Sequence, residues 1–167
     1  GNPIGIKVGP SADPEEIAAL VSKLDPSMVP GRITLITRYG AGKVAAHLPG
    51  LIEAIGAHGH TVVWACDPMH GNTFTSQSGR KTRHFEDVCA EIAGFIRAHQ
   101  AEQTWPGGIH VELTGNNVTE CLGGADEIVD AQLDDRYETV CDPRLNGRQS
   151  LDLAFRVAEL MRAAGAA

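Results

Sequence analysis

Four times along the chain a short apolar run, rich in β-branched residues, is followed by a stretch whose apolar residues recur at helical spacing. The strand-like runs are Ile4–Val8, Ile33–Thr37, Thr61–Ala65 and Ile109–Leu113. The helical stretches carry Ile17, Leu20, Val21 and Leu24, then Val44, Leu48, Leu51, Ile52 and Ile55. The third carries Phe85, Val88, Cys89, Ile92, Phe95 and Ile96, and the last Leu153, Val157 and Leu160. Strands separated by helices cross over rather than turn back, so they run parallel and the helices cover the sheet. Two α/β architectures satisfy this pattern: a small open doubly wound sheet, or four consecutive units of an eight-unit barrel. In both, functional side chains gather where the strands end, at their C-terminal rim.

Punctuation refines the elements. Asp13 and Pro14 suit the cap and first position of the first helix, and Glu15 and Glu16 complement its positive end. Pro49 is expected to divide the second helix into a first turn and a main segment. Ser150 is expected to cap the last one. Long loops are expected over 67–83 and 114–148, the second holding a short strand at Glu138–Val140. All 167 residues are expected to form one domain, which opens directly on a strand with no preceding cap.

Several function classes recede. A net charge of −7 argues against a nucleic-acid partner. No apolar run approaches the roughly 20 residues of a membrane span, and no secretory leader is visible. The four cysteines form no CxxC pair, which disfavours a structural zinc site and suits a reduced, cytoplasmic protein.

The chemistry-bearing residues stand at strand ends. His70, Glu112 and Asp142 each follow a short apolar run. An imidazole and two carboxylates form a ligand set for a divalent metal of intermediate hardness. Taken singly, each is equally an ordinary loop residue, and Asp142-Pro143 is also a turn starter. Lys7 and Arg38 end successive strands. A cation there either pairs with a carboxylate or awaits an anionic substrate. The loop Gly79-Arg80-Lys81-Thr82-Arg83 adds positive charge, as a solvated loop or as part of an anion site.

Five stretches together resemble the class II (plant-type) 3-deoxy-D-arabino-heptulosonate 7-phosphate (DAHP) synthases. They are Asn2–Pro10, Ile36–Gly40, Trp64–Asn72, Gly108–Gly124 and Tyr137–Asn146, in the family's order and spanning nearly the whole chain. The resemblance implies a (β/α)8 TIM barrel of which this chain is the C-terminal half, units five to eight. It implies condensation of phosphoenolpyruvate with erythrose 4-phosphate, releasing phosphate, as the first step of the shikimate pathway in the cytoplasm (the plastid, in a plant).

It further implies Mn²⁺ or Co²⁺ as cofactor, held by His70, Glu112 and Asp142. Lys7 and Arg38 would hold phosphoenolpyruvate, Lys81 would be a further active-site cation, and His70 would also orient a water or phosphate. Cys141 is similar to a cysteine that approaches the family's metal-binding cysteine. That fourth ligand lies outside this sequence, and Cys66 is a conceivable substitute. A half barrel exposes two strand edges, so a complementary N-terminal half or a second copy is the expected partner. The competing expectations are an inactive anion-binding module that retains phosphoenolpyruvate and metal affinity, and a metal hydrolase on a small doubly wound sheet.

Overall fold

The computed structural model describes residues 2–165. Four strands form one parallel sheet in the order β1 (Ile4–Val8), β2 (Ile33–Thr37), β3 (Val63–Cys66) and β6 (Gly108–Ile109). Helices α1 (Pro14–Leu24), α2 (Val44–Ala57), α3 (Phe85–Ala101) and α4 (Gly147–Ala163) follow the strands, and each packs against the next. The strand order never reverses. Right-handed crossovers in an unreversed sheet place every helix on one face, whereas a doubly wound sheet needs a reversal. The sheet is therefore singly wound, as an arc of a barrel wall is.

The register sorts the strand side chains between two faces. Ile6, Leu35 and Trp64 align, as do Val8, Thr37 and Cys66, and all but Ile6 are buried. The alternate row, Lys7, Ile36, Ala65 and Gly108, escapes full burial and lies on the opposite face. The core is thus the layer between sheet and helices, filled by Ile33, Leu35, Leu48, Leu51, Ile55, Phe85, Ile92 and Phe95. Leu20, expected on the inner stripe of α1, is 39% exposed, and Ala18 and Val21 fill that contact instead.

Five local expectations are corrected. Pro49 sits inside a continuous α2, where it removes one backbone donor while buried Leu48, Leu51, Ile52 and Ile55 anchor the helix. Asn146, not Ser150, caps α4. It accepts from Gln149 N at 2.9 Å and is met in return by the Gln149 side chain, while Ser150 donates to the Asn146 carbonyl. The fourth strand stops at Ile109 because the chain then leaves β3. Its Glu112 and Thr114 backbone groups bond to Leu145 instead, which carries Glu112 towards Asp142. No strand forms at 138–140, since Glu138 and Thr139 donate their amides to buried Glu120, after a 3-10 helix over Asp130–Arg136. Finally, 67–83 is not all loop. It holds the hairpin β4 (Phe74–Thr75) and β5 (Lys81–Thr82), turned at Gly79 with φ +83°.

His99 of α3 is fully buried against Trp64 and Phe95, with Nδ1 2.6 Å from Thr104 Oγ1. Burial pulls its pKa down to about 4. Below about pH 6.5 the unfolded chain takes up a proton that the folded chain refuses. This contribution to stability is therefore full above that pH and falls as pH drops to 4, by about 3 kcal/mol. Urea titrations across this range are expected to show His99→Phe lacking that fall relative to wild type. Parallel curves would contradict a neutral buried imidazole. The comparison must be with the variant because buried Glu91, raised by burial to about 7, acts with the opposite sign over much of the same range.

Candidate metal centre

β3 ends at Cys66 and the chain turns over Asp67-Pro68 to present His70. Asp67 is the pivot of this turn. Its buried carboxylate accepts from Met69 N at 3.1 Å and His70 N at 3.2 Å. It also lies 2.7 Å from His70 Nδ1 and takes Lys7 Nζ at 2.6 Å. Burial alone would raise the Asp67 carboxyl, but the Lys7 ammonium and the His70 N–H outweigh it and hold the carboxyl below its usual range. A carboxylate only accepts, so Nδ1 is the donor, and the neutral imidazole in that tautomer presents its lone pair at Nε2.

That lone pair faces two carboxylates. His70 Nε2 lies 3.4 Å from Glu112 Oε1 and 3.8 Å from Asp142 Oδ2. The other oxygen of each acid is engaged by a protein cation. Glu112 Oε2 lies 2.9 Å from Arg83 Nη2, and Asp142 Oδ1 is bonded by Lys81. The Lys81 bond holds the Asp142 carboxyl below its usual range and raises the Lys81 ammonium. Each acid thus turns one oxygen to a fixed cation and one to the imidazole. Ligand atoms of His70, Glu112 and Asp142 all lie within 4.8 Å of one another. One nitrogen and two oxygens at that spacing fit a single divalent cation.

Three buried charged residues that support the His70, Glu112 and Asp142 segments escape sequence inspection. Asp67 reads as a turn residue before Pro68. Arg83 reads as one more charge of a basic loop, yet it is fully buried. Its Nε donates to the Met69 carbonyl at 2.8 Å and to Thr73 Oγ1 at 2.9 Å, and its Nη1 to the Pro143 carbonyl. Glu120 is buried under Arg144, which it binds at 2.7 and 3.0 Å, and this pair shapes the segment that carries Asp142. The only advance signal for Arg83 is its position, two residues before α3, where an exposed loop gives way to core.

The expected anion-binding cations fare differently. Lys7 is committed to Asp67 yet keeps 39% of its side chain exposed. Arg80, Lys81 and Arg83 of the basic loop each meet an acid: Asp134, Asp142 and Glu112. The loop is therefore not a free positive patch. Arg38 is exposed and lines a cavity of ≈ 370 Å³ together with Gly9, Lys43, His70 and Asn72. Cys66 is buried in the core, in the row of Val8 and Thr37 on the face opposite Lys7, and lies outside the group of ligand atoms that His70, Glu112 and Asp142 form. Burial, then Glu91 and Asp67, push its thiol well above the usual range. Cys141 is exposed, with Sγ 3.5 Å from Asp142 Oδ2. Among the described residues no helix is long and apolar enough to cross a membrane.

The family model described as the class-II DAHP synthetase family matches residues 1–158. The chain is 58% identical over 161 residues to phospho-2-dehydro-3-deoxyheptonate aldolase AroG of Mycolicibacterium smegmatis, covering 96% of this chain and 35% of that protein. It is 58% identical over 161 residues to the phospho-2-dehydro-3-deoxyheptonate aldolase of Streptomyces coelicolor, with 96% and 36% covered. The Neurospora crassa enzyme of that name is 48% identical over 163 residues, with 96% and 34% covered. The chain thus spans about a third of the length of the curated relatives it matches.

Proposed function

The chain belongs to the class-II DAHP synthetase family, and on that premise we propose that it forms the metal- and phosphoenolpyruvate-binding side of a 3-deoxy-7-phosphoheptulonate synthase. The reaction joins phosphoenolpyruvate, erythrose 4-phosphate and water into DAHP and inorganic phosphate, at the entry to the shikimate pathway. The observation that carries this reading is the split use of the two acids, one oxygen on a buried or rim cation and one facing His70 Nε2.

His70, Glu112 and Asp142 would hold the divalent ion, with Mn²⁺ or Co²⁺ the choice for this donor set. When bound, it supplies Lewis-acid polarisation of an aldehyde oxygen. The chain's own residues do the rest. Asp67 fixes the imidazole and Lys7 together, so the metal ligand and the substrate cation keep one spacing. Lys7, with an exposed ammonium, and Arg38, beside the cavity next to His70, grip the anionic groups of phosphoenolpyruvate. Lys81, at the far side of Asp142, offers its remaining donors to the second substrate. Fixing both reactants against one another contributes up to roughly 7–11 kcal/mol of barrier reduction in favourable cases.

The singly wound sheet, with its second face bare and strand edges at β1 and β6, makes units five to eight of a (β/α)8 barrel the natural architecture. The partner is then the complementary barrel half, and the setting the cytoplasm. Mixing this chain with the remaining segment of the Mycolicibacterium relative, Mn²⁺ and both substrates is expected to release phosphate, and chelation to stop it. The chain alone is expected to bind phosphoenolpyruvate without turnover. Binding without phosphate release in the reconstituted pair would favour an anion-binding module, and no binding by either would overturn the reading.

A further inference from the structure

The loops that carry Arg38 and His70 touch each other, and one buried acid lies behind both. The contact is between glycines. A Cβ on Gly71 would stand 2.4 Å from Gly40 N, and one on Gly40 would stand 2.8 Å from the Gly71 carbonyl oxygen. Gly40 also has φ +87°, which a side chain would strain. The two loops therefore meet backbone to backbone. Arg38 stands two residues before this contact on one side and His70 one residue before it on the other.

Glu91 of α3 is fully buried beneath them. Its Oε1 accepts from Tyr39 N at 2.8 Å and Gly40 N at 2.9 Å, in the Arg38 loop. Its Oε2 accepts from Asn72 Nδ2 at 2.8 Å, in the His70 loop. Asn72 reaches back across the junction: its Oδ1 accepts from Ala41 N at 2.9 Å, and its Nδ2 also donates to the Pro68 carbonyl at 2.7 Å. Every partner of Glu91 is a donor, and among the described residues no cation pairs with it. An acid buried without a counter-charge is costly. Packing alone would be met by an apolar side chain of the same size. The arrangement instead uses the one feature a carboxylate has, two oxygens that both accept, to tie two loops at once.

We propose that Glu91 is a positioning residue that locks the Arg38 loop to the His70 loop, so that anion capture and divalent-metal capture reinforce one another through it. This rests on the roles proposed above for Arg38 and His70. The chemistry of the amide makes it separable from them. In Glu91→Gln the remaining oxygen still serves Tyr39 and Gly40, but the new amide NH₂ faces the Asn72 NH₂. Two donors repel, Asn72 turns, and the Ala41 tie is lost while the fold stays. Asn72→Ala removes the tie from the other side, taking away the bonds to Ala41, Glu91 and Pro68 together.

Calorimetry of the full chain at about pH 8, where a carboxyl raised by burial to about 7 is ionised, provides the test. Phosphoenolpyruvate is titrated with and without Mn²⁺, and Ala41 amide exchange is followed in parallel. In the wild type, Mn²⁺ is expected to tighten phosphoenolpyruvate by about 10-fold, within the usual range of coupling between sites. Glu91→Gln is expected to reduce that factor to within about 2-fold of none, to bind Mn²⁺ alone nearly as before, and to speed Ala41 exchange. Asn72→Ala is expected to lose the coupling to the same extent, and Glu91→Gln with Asn72→Ala to lose no more than either alone. Unchanged coupling in Glu91→Gln, or additive losses in the folded double variant, would overturn the lock. A wild type that binds both ligands with no coupling overturns it while leaving the function standing. A wild type that binds neither overturns the function and the lock together.

Discussion

Replacing Arg83 by alanine is expected to cost about 3–5 kcal/mol of folding stability, a large share of the roughly 5–15 kcal/mol that holds a domain. Arg83 is a guanidinium with no exposed surface. It satisfies the Met69 and Pro143 carbonyls and Thr73 Oγ1, and it faces Glu112 and Asp142 at 2.9 and 3.8 Å. Truncation leaves those carbonyls without donors, opens a cavity, and strips Glu112 of its cation while Asp142 keeps Lys81. Arg83→Lys keeps the charge but not the planar fork, so it is expected to recover only part of the loss. Urea midpoints of the three proteins decide this. A loss under about 1 kcal/mol for Arg83→Ala would show that the guanidinium is a bystander rather than the floor of the site.

The second large effect concerns the metal itself. His70→Ala, Glu112→Gln and Asp142→Asn are each expected to weaken Mn²⁺ binding by more than about 100-fold, beyond the 10–100-fold that removal of an outer-shell partner costs. Asp67→Asn belongs to that outer-shell class. It keeps the shape of the pivot but no longer fixes the Nδ1 proton of His70, so about 10–100-fold is expected. The ordering is the diagnostic feature. An Asp67→Asn loss exceeding those at the three ligands would mean that the site is built around Asp67 and Lys7, and that the imidazole with its two acids is a salt-bridge cluster. Equilibrium dialysis with Mn²⁺ gives all the constants on one scale.

Local periodicity made the parallel α/β pattern legible, because an apolar stripe of period 3.6 or an apolar run of five is written in neighbouring residues. His70 was legible for a related reason: it follows the end of β3, and the rim that strand ends form is a property of the fold class, whereas Glu112 and Asp142 reach it through the backbone bonds of Glu112 and Thr114 to Leu145 rather than from strand ends. What escaped was decided at long range. Arg83 and Glu91 sit in polar-looking positions whose burial depends on loops 14–60 residues away. Neighbouring residues leave both readings of Lys7 open, a paired cation or an anion site, because its partner, Asp67, is 60 residues on. β6 broke off early since Glu112 and Thr114 bond to Leu145, a competitor no strand propensity encodes. The 138–140 strand failed for the same kind of reason, its amides drawn to the buried Glu120 carboxylate.

Diffraction from crystals grown with Mn²⁺, measured at the manganese absorption edge, addresses the centre most directly. One anomalous peak is expected within bonding distance of His70 Nε2 and of one oxygen each from Glu112 and Asp142, with Arg83 still on the second Glu112 oxygen. Manganese bound elsewhere, or held by fewer than these three side chains, would contradict it.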